Sequence, residues 1–330
     1  MKTKLKGISY SKYGYLFSIP FVVAFLIFTL YPTIYTATLG FTDCKGVGGF
    51  DNYKFLKHPF DNFKAVLEND SFKMSLKNTV GIWIMNFIPQ ITIALLLTAW
   101  FTSHSNEIRC KGFFKVVFYM PNIITAATVA ILFNALFSYP TGPVNDLLVT
   151  FGLRDSSYYF TNYKTSARLI VAFIQFWTWY GNTMIVLISG VLGISPDIYE
   201  AAEIDGANGV QTFFRITIPN LKTILLYTLI TSLVGGLNMF DIPFLFRNGG
   251  PDRATLTSSL YIYNQAFAGS YIYNKAAAAS MIMWIIIAFF SAILFFVMRD
   301  KDQIKIDKEI KKAKKEARRA EKGGVNQWQW

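Results

Sequence analysis

The chain carries few charged residues for its length. Only 16% of its 330 residues are Asp, Glu, Lys or Arg, whereas 53% are hydrophobic. Soluble domains contain about 25% charged residues. A soluble protein would have to bury several apolar stretches of about 20 residues in one core. The composition therefore excludes an ordinary soluble domain and favours a membrane protein.

Residues that bind metals or form disulfides are nearly absent. The two cysteines, Cys44 and Cys110, cannot build a disulfide framework, and the two histidines, His58 and His104, have no metal-ligand spacing around them. We therefore expect two free thiols, no metal site and no catalytic residues, and predict that the chain is not an enzyme.

A phosphate-binding loop is also absent. The pattern Gly-x-x-x-x-Gly-Lys-Ser/Thr occurs nowhere in the sequence. The chain therefore does not carry this type of ATP-hydrolysing site.

Long apolar stretches are abundant. Six of them can cross a hydrocarbon layer of about 30 Å as helices of about 20 residues. The first is too long for a secretory signal and lacks a clean cleavage site, so we predict that it is retained. The sequence thus predicts an all-α protein of six transmembrane helices, at residues 15–36, 80–101, 116–137, 169–192, 224–246 and 277–298.

The net charge of +12 is distributed as in a membrane protein. Four lysines precede the first span, and eleven Lys or Arg follow the last one; the segments sharing the side of the termini hold 20 of the 32 basic residues. The positive-inside bias then places both termini in the cytoplasm, and the charge indicates lipid contact rather than nucleic-acid binding. We predict a basic N-terminus (1–14), a membrane domain (15–298) and a basic tail (299–330). The tail has the composition of a solvated or membrane-surface helix, with a docking role as the alternative.

The inner loop at 195–219 differs from the other loops. Ser195 is a candidate N-cap, Pro196 suits the first helical position, and Gly206 is a helix stop. A second short helix then carries Val210, Phe213 and Phe214 on one face. An interfacial helix pair is the simplest interpretation, but the segment is acidic and the inner leaflet is anionic, so a protein partner fits better.

The same loop carries a family resemblance. Its residues Glu200-Ala201-Ala202, Asp205-Gly206-Ala207, Arg215 and Pro219 resemble the EAA loop of bacterial ABC importer permeases, specifically the carbohydrate branch with the maltose, lactose and glycerol-phosphate permeases. Tyr119-Met-Pro-Asn122, Phe240-Asp241 and Gly249-Gly250-Pro251 are similar to other parts of these permeases.

The resemblance implies a location, a coupling mechanism and a set of partners. The loop would form a cytoplasmic coupling helix that docks on a separate ABC ATPase dimer, which would bind the ATP and Mg²⁺. A second homologous permease would share the path through the bacterial cell membrane, and an extracellular solute-binding protein would deliver the carbohydrate to outer loops that include Asp252 and Arg253. The docking residues implied are Glu200, Ala201, Ala202, Asp205, Gly206, Ala207, Arg215 and Pro219.

Polar residues inside the spans mark a candidate substrate path, because they are costly in lipid and tend to face a cavity. Amides hydrogen-bond sugar hydroxyls and aromatic rings stack on sugar rings, although each amide could equally bond a neighbouring helix. The candidates are Asn86, Gln90, Asn122, Asn134, Gln175, Asn182, Asn238 and Asp241, with Trp177, Trp179 and Tyr180. The preferred set is Gln175, Trp177, Tyr180, Asn182, Asn238 and Asp241.

Two rival functions use the same kind of chain. An ion-coupled secondary transporter would also be polytopic, but it needs membrane-embedded ionisable residues. The predicted spans contain one carboxylate, Asp241, and no Lys, Arg or His. An ABC permease for a non-sugar solute is the closer alternative.

Overall fold

A computed structural model describes residues 11–103, 109–299, 309–314 and 316. Helices dominate it, and the described residues contain no strand beyond one isolated bridge between Thr42 and Phe55. Lys2, Lys4, Lys6, His104 and the tail 317–330 lie outside the described residues. The helices are α1 Ser11–Phe25, α2 Tyr31–Leu39, α3 Asp61–Glu68, α4 Asp70–Thr102, α5 Lys111–Ile123, α6 Ala126–Leu136, α7 Pro143–Thr150, α8 Lys164–Leu192, α9 Pro196–Ile204, α10 Gly209–Thr212, α11 Ile218–Asn220, α12 Lys222–Leu237, α13 Asp241–Arg247, α14 Ser258–Phe267 and α15 Tyr273–Met298.

Helices long and apolar enough to span a membrane occur at five of the six predicted places, and a bent pair of helices occupies the sixth; four of the five run without a non-helical break. α1 and α2 join through a π-helical turn at Leu26–Leu30 into one span. α4, α8 and α15 are the other three uninterrupted spans. α8 has 29 residues, a length of about 44 Å, so it exceeds the apolar thickness of a bilayer.

The predicted span at 116–137 is not one helix. α5 and α6 meet at an angle of 90° around Ile124 and Thr125. The Thr125 side chain accepts a hydrogen bond from the Thr128 amide (3.3 Å), so it caps the new helix. This stretch is therefore a broken span or a re-entrant segment.

The predicted span at 224–246 is interrupted near its outer end. α12 ends at Leu237 and α13 begins at Asp241, with Asn238, Met239 and Phe240 between them in non-helical conformations. Non-helical backbone is tolerated at membrane depth only where it is buried or lines a cavity. Both interruptions therefore point to the interior of the bundle.

The pair α4 and α8 forms the centre of the bundle, with extensive contact along both helices. One buried cluster, toward the end of the bundle that carries α9, includes Phe101, Met184 and Leu187. Another, toward the opposite end, includes Ile82, Val171 and Ile174. By contrast, the first span exposes nearly all of its apolar surface, since no residue of its most apolar stretch is buried within the chain. That surface is available to lipid or to another subunit.

The loop between the first two long spans folds into a small cap. Asn62 of α3 is buried, and its amide donates to the carbonyls of Gly40 (2.9 Å) and Thr42 (2.8 Å). Asn274, at the start of α15, donates to Thr42 (3.2 Å) as well. These buried amides fix the cap to the C-terminal end of the first span and the N-terminal end of the last span.

Candidate functional site

A cavity of about 580 Å³ lies at mid-length between α4, α8 and α12 and beside both helix interruptions. Its size is typical of small-molecule sites, which occupy roughly 300–1,000 Å³. Its lining is polar for the middle of a membrane bundle. The lining residues are Asn86, Gln90, Asn122, Ile124, Ala126, Gln175, Thr178, Trp179, Asn182, Thr183, Val186, Tyr227, Thr228, Thr231, Ser232, Gly235, Gly236, Asn238, Met239, Phe240, Asp241 and Ile242.

One face of α8 supplies the longest stretch of this wall, and most of its side chains are polar. Its members stand at positions 175, 178, 179, 182, 183 and 186. Residues three and four apart share one face of a helix, so this spacing presents them as a single stripe. Asn86 and Gln90 repeat the spacing on α4 across the cavity. The helical period thus collects polar side chains that are distant in sequence.

The two interruptions provide the remaining wall. Asn122, Ile124 and Ala126 come from the junction of α5 and α6, and residues 238–242 come from the junction of α12 and α13. Asn122 also donates to the Thr178 carbonyl of α8 (3.3 Å), which holds the first junction against the central helix. Backbone groups freed from helical bonding are therefore placed beside the cavity.

The structure brings most of the predicted path residues together. Asn86, Gln90, Asn122, Gln175, Asn182, Asn238 and Asp241 line the cavity, as does Trp179. Their contact with a solute remains a prediction.

Three predicted residues do not line this cavity. Trp177 packs on Phe133, with ring centroids 5.6 Å apart, and Tyr180 packs on Phe176 at 5.5 Å. Asn134 donates to the Phe246 carbonyl (3.1 Å) and links α6 to α13. Trp177 and Tyr180 point away because they lie on other faces of α8 than Gln175 and Asn182.

A polar network that the sequence analysis missed fixes the outer loop 248–257. Arg168 donates to the Ala254 carbonyl (2.9 Å) and to the side-chain oxygen of Asn78 (2.9 Å). Asn78 in turn donates to the carbonyls of Arg253 (2.8 Å) and Leu256 (3.1 Å). Arg168 lies just before the predicted span but inside α8, so the expectation of spans without Lys, Arg or His does not hold for the whole helix.

The same loop reaches the cavity wall through Thr257. Its hydroxyl donates to the carbonyl of Met239 (2.9 Å), one of the groups released by the interruption between α12 and α13. At the loop's exposed tip, Asp252 pairs with Lys164 (3.5 Å) and Arg253 donates to Ser71 (2.6 Å). The loop therefore connects the exposed surface at the N-terminal ends of α4 and α8 with the interruption beside the cavity.

The inner loop has the predicted helix and stop. α9 starts with Pro196 and ends at Ile204, and Gly206 follows with a φ of +77°. The Gly206 amide donates to the Glu203 carbonyl (3.0 Å) and the Ala207 amide donates to the Ala202 carbonyl (2.9 Å). These two bonds form a Schellman motif, which requires a left-handed residue where Gly206 stands.

A second turn follows at once. Asn208 caps α10 in a reciprocal capping box with Gln211, whose backbone amide donates to Asn208 (2.9 Å). A π-helical turn at Phe213–Thr217 and the short α11 lead to α12, so Pro219 lies within the last turn before that span.

Most of the predicted docking residues are accessible. Glu200, Ala201, Asp205, Gly206, Arg215 and Pro219 are exposed, and Ala207 is half-buried. Ala202 is buried, so its side chain belongs to the packing of the loop rather than to an outward surface. Ser195 occupies the predicted N-cap position, but its hydroxyl donates to a carboxylate oxygen of Asp197 (3.3 Å) and makes no hydrogen bond to the backbone of the helix.

Comparison with known proteins gives the family of this architecture. Residues 78–301 match the family of the binding-protein-dependent transport system inner membrane component. The chain belongs to this family. It is therefore a transport permease and a multi-pass membrane protein, and the cavity, rather than a catalytic centre, is its candidate functional site.

Individual relatives agree with this assignment. Over 295 residues the permease is 31% identical to the lactose transport system permease protein LacF of Rhizobium radiobacter, which covers 88% of this chain and 96% of that protein. A crystal structure of a bacterial alginate ABC transporter, in complex with an alginate pentasaccharide-bound periplasmic protein, contains a chain with 25% identity and a TM-score of 0.72, covering 86% of this chain and 93% of that one. A second structure, of a bacterial ABC transporter that imports the acidic polysaccharide alginate, gives 25% identity and a TM-score of 0.71, with 88% and 98% covered.

Proposed function

We propose that this permease is a membrane subunit of an ATP-driven importer of sugars or oligosaccharides and forms half of the translocation path. The observation that carries this proposal is the polar cavity at mid-membrane depth, in which Asp241 is the one charged side chain among the described lining residues. A relative named for lactose and structural neighbours that handle alginate support a carbohydrate substrate.

The cavity chemistry suits a sugar. Amide groups of Gln175 and Asn182 can bond hydroxyl groups, and the half-exposed Trp179 offers an aromatic face for a sugar ring. The two amides stand two helical turns apart on α8, so they can contact successive polar groups of one extended solute.

The inner loop would couple this path to an ABC ATPase dimer, which binds the ATP and Mg²⁺. α9 presents Glu200, Ala201 and Asp205 on an exposed, acidic surface beside the turn at Gly206. A basic cleft on an ATPase would complement that surface, and small side chains allow close approach. Movement of the loop would be transmitted to α8 and α12, which flank it in sequence.

A second homologous permease and an extracellular solute-binding protein complete the proposed complex. The exposed apolar surface of the first span is suited to contact with lipid or the second permease. The outer loop 248–257 offers Asp252 and Arg253 on the opposite side of the membrane from α9. The family description itself, with transport dependent on a binding protein, supports such a partner.

The test is affinity purification of the full chain from detergent-solubilised host membranes, with mass spectrometry of the proteins retained. We expect one ATPase and a second six-span permease, and a co-purified binding protein could then be screened for its sugar. Recovery of the chain alone, active in uptake without ATP, would overturn the proposal and favour an ion-coupled transporter. Asp241→Asn would then be tested for loss of proton- or sodium-dependent uptake.

Cysteine labelling tests the proposed orientation, with both termini and α9 in the cytoplasm. Cys110 is exposed near the inner end of α5, whereas Cys44 in the outer cap is 1% exposed. Burial, with a smaller contribution from the Asp43 carboxylate, raises the pKa of the Cys44 thiol and lowers its reactivity. A membrane-impermeant maleimide should therefore label Cys110 of the permease in inside-out vesicles. The permease should stay unlabelled in intact cells, and Cys110→Ser should remove the labelling in the vesicles. Labelling of Cys110 in intact cells would contradict the proposed orientation and indicate the opposite one.

A further inference from the structure

The hydrogen bonds of the cavity wall indicate which charge its solute carries. We propose that the wall mainly accepts hydrogen bonds, so that it takes sugars with neutral hydroxyl or protonated amino groups and discriminates against sugars with carboxylate or phosphate groups. This inference rests on the proposed function, transport of sugars through this cavity. The family alone leaves the charge open, because one relative is named for lactose and a structural neighbour imports an acidic polysaccharide.

Four cavity amides have already committed one of their two N–H donors to the protein. Three of them donate to a backbone carbonyl, which can only accept, and so their orientation is fixed. In the described part of the chain, none of the four side-chain oxygens accepts a bond, so the oxygens remain for a solute. The four bonds are Asn86 to Ile82 (3.1 Å), Gln90 to the Thr183 hydroxyl (2.8 Å), Asn122 to Thr178 (3.3 Å) and Asn238 to Val234 (2.9 Å).

The four threonines of the wall also donate to the protein rather than to the cavity. A hydroxyl has one proton and two lone pairs, and each of these protons goes to the backbone carbonyl one turn earlier. Only lone pairs remain to face the cavity. The bonds are Thr178 to Ile174 (2.8 Å), Thr183 to Trp179 (3.2 Å), Thr228 to Ile224 (2.8 Å) and Thr231 to Tyr227 (2.8 Å).

Asp241 strengthens this bias, since an ionised carboxylate is purely an acceptor. No Lys, Arg or His stands among the described residues of the wall. Side-chain donors that remain for a solute are fewer than the acceptors. They are the second N–H of each of the four amides described above, the amides of Gln175 and Asn182, the hydroxyls of Tyr227 and Ser232, and the Trp179 indole.

The chemistry of the solute follows from this inventory. A sugar hydroxyl can donate to these oxygens, and an ammonium group can only donate. A carboxylate or phosphate can only accept, so it would exchange its hydration for a wall with fewer donors than lone pairs and with the like charge of Asp241. The wall therefore favours neutral and amino sugars over anionic ones.

Trp179 provides a direct readout, because it is 48% exposed and lines the cavity. The full chain in lipid nanodiscs is titrated with three trisaccharides of similar size: maltotriose, fully deacetylated chitotriose and trigalacturonate. We expect Trp179-dependent fluorescence changes with the neutral and cationic sugars, and at least about tenfold weaker binding of the anionic one. Trp179→Phe should remove the change against the background of the other tryptophans.

Charge variants make the test specific. Asn182→Lys adds a donor and a positive charge to the wall, and should raise the affinity for trigalacturonate, whereas Ser189→Lys, on the same helix outside the cavity, should leave it unchanged. Asp241→Asn should reduce the difference in affinity between the cationic chitotriose and the anionic trigalacturonate. Equal binding of trigalacturonate and maltotriose would overturn the inference, as would a lack of Trp179-dependent binding with any sugar. The second outcome would leave the proposed importer intact if the purified complex still contains its ATPase and second permease.

Discussion

Replacing Gly206 with proline should abolish the sugar-stimulated ATP hydrolysis of the assembled importer while the permease remains inserted in the membrane. Gly206 has a φ of +77°, and its amide donates to the Glu203 carbonyl (3.0 Å). Proline fixes φ near −65° and has no amide hydrogen, so it is incompatible with both features and should cost about 3 kcal/mol or more. The Schellman turn would open, and α9 would lose the direction in which it presents Glu200 to the ATPase.

Gly209→Pro is the matched control for this result. Gly209 is the first residue of α10, directly after the Asn208 cap, and a Cβ there would meet no atom within 4 Å. Proline is favoured at a first helical position. The control should therefore keep stimulation near the level of the unmodified complex. Glu200→Arg, which reverses a charge on the exposed face of α9, should uncouple the complex without opening the turn. Normal stimulation in both Gly206→Pro and Glu200→Arg would contradict the coupling role of this loop.

The backbone of the loop 195–219 could be predicted in detail because its signals are local. Pro196 and Gly206 each act on their own backbone, and the structure has a helix start and a left-handed turn at these residues. The six apolar stretches could also be predicted, since hydropathy averaged over about 20 residues reports how favourable it is for a segment to leave water. The exception at Ser195 is also local: its hydroxyl lies beside the Asp197 carboxylate and does not cap the helix.

The interruptions were not predicted, because averaging hides a change of backbone direction within an apolar stretch. The segment from Lys111 to Leu136 stays apolar through its bend at Ile124 and Thr125. Bending there depends on contacts made elsewhere in the chain, such as the bond from Asn122 to Thr178. A sequence pattern on one segment cannot contain that information.

The lining of the cavity could be predicted in part, unlike the interruptions and less fully than the loop 195–219. Trp179 stands four residues after Gln175 and three before Asn182, so helical spacing alone identifies it as part of their face. The preferred set contained Trp177 and Tyr180 and left out Trp179, because this period was not applied to the aromatic residues. Arg168 was missed because the apolar stretch begins at the next residue, while the helix itself begins at Lys164.

Replacing Gly181 with alanine should weaken the packing on which the cavity wall depends. A Cβ at Gly181 would fall well inside van der Waals contact with the backbone oxygen of Phe118 and 2.9 Å from the Cα of Tyr119. Backbone atoms cannot rotate away as a flexible side chain can, so α5 would have to move off α8. Overpacking of this kind costs typically 1–3 kcal/mol.

The displacement would reach the site, because Asn122 lies one turn beyond Phe118 and donates to α8 at Thr178 (3.3 Å). We therefore expect both a lower apparent Tm of the detergent-solubilised chain and weaker Trp179-dependent sugar binding. Gly81→Ala in α4 is the matched control, since a Cβ there meets no atom within 4 Å. That control should be neutral or up to about 1 kcal/mol more stable, because alanine favours a helix over glycine. Equal Tm values for Gly181→Ala and Gly81→Ala would contradict the close approach of α5 and α8, and with it the proposed placement of Asn122 in the cavity wall.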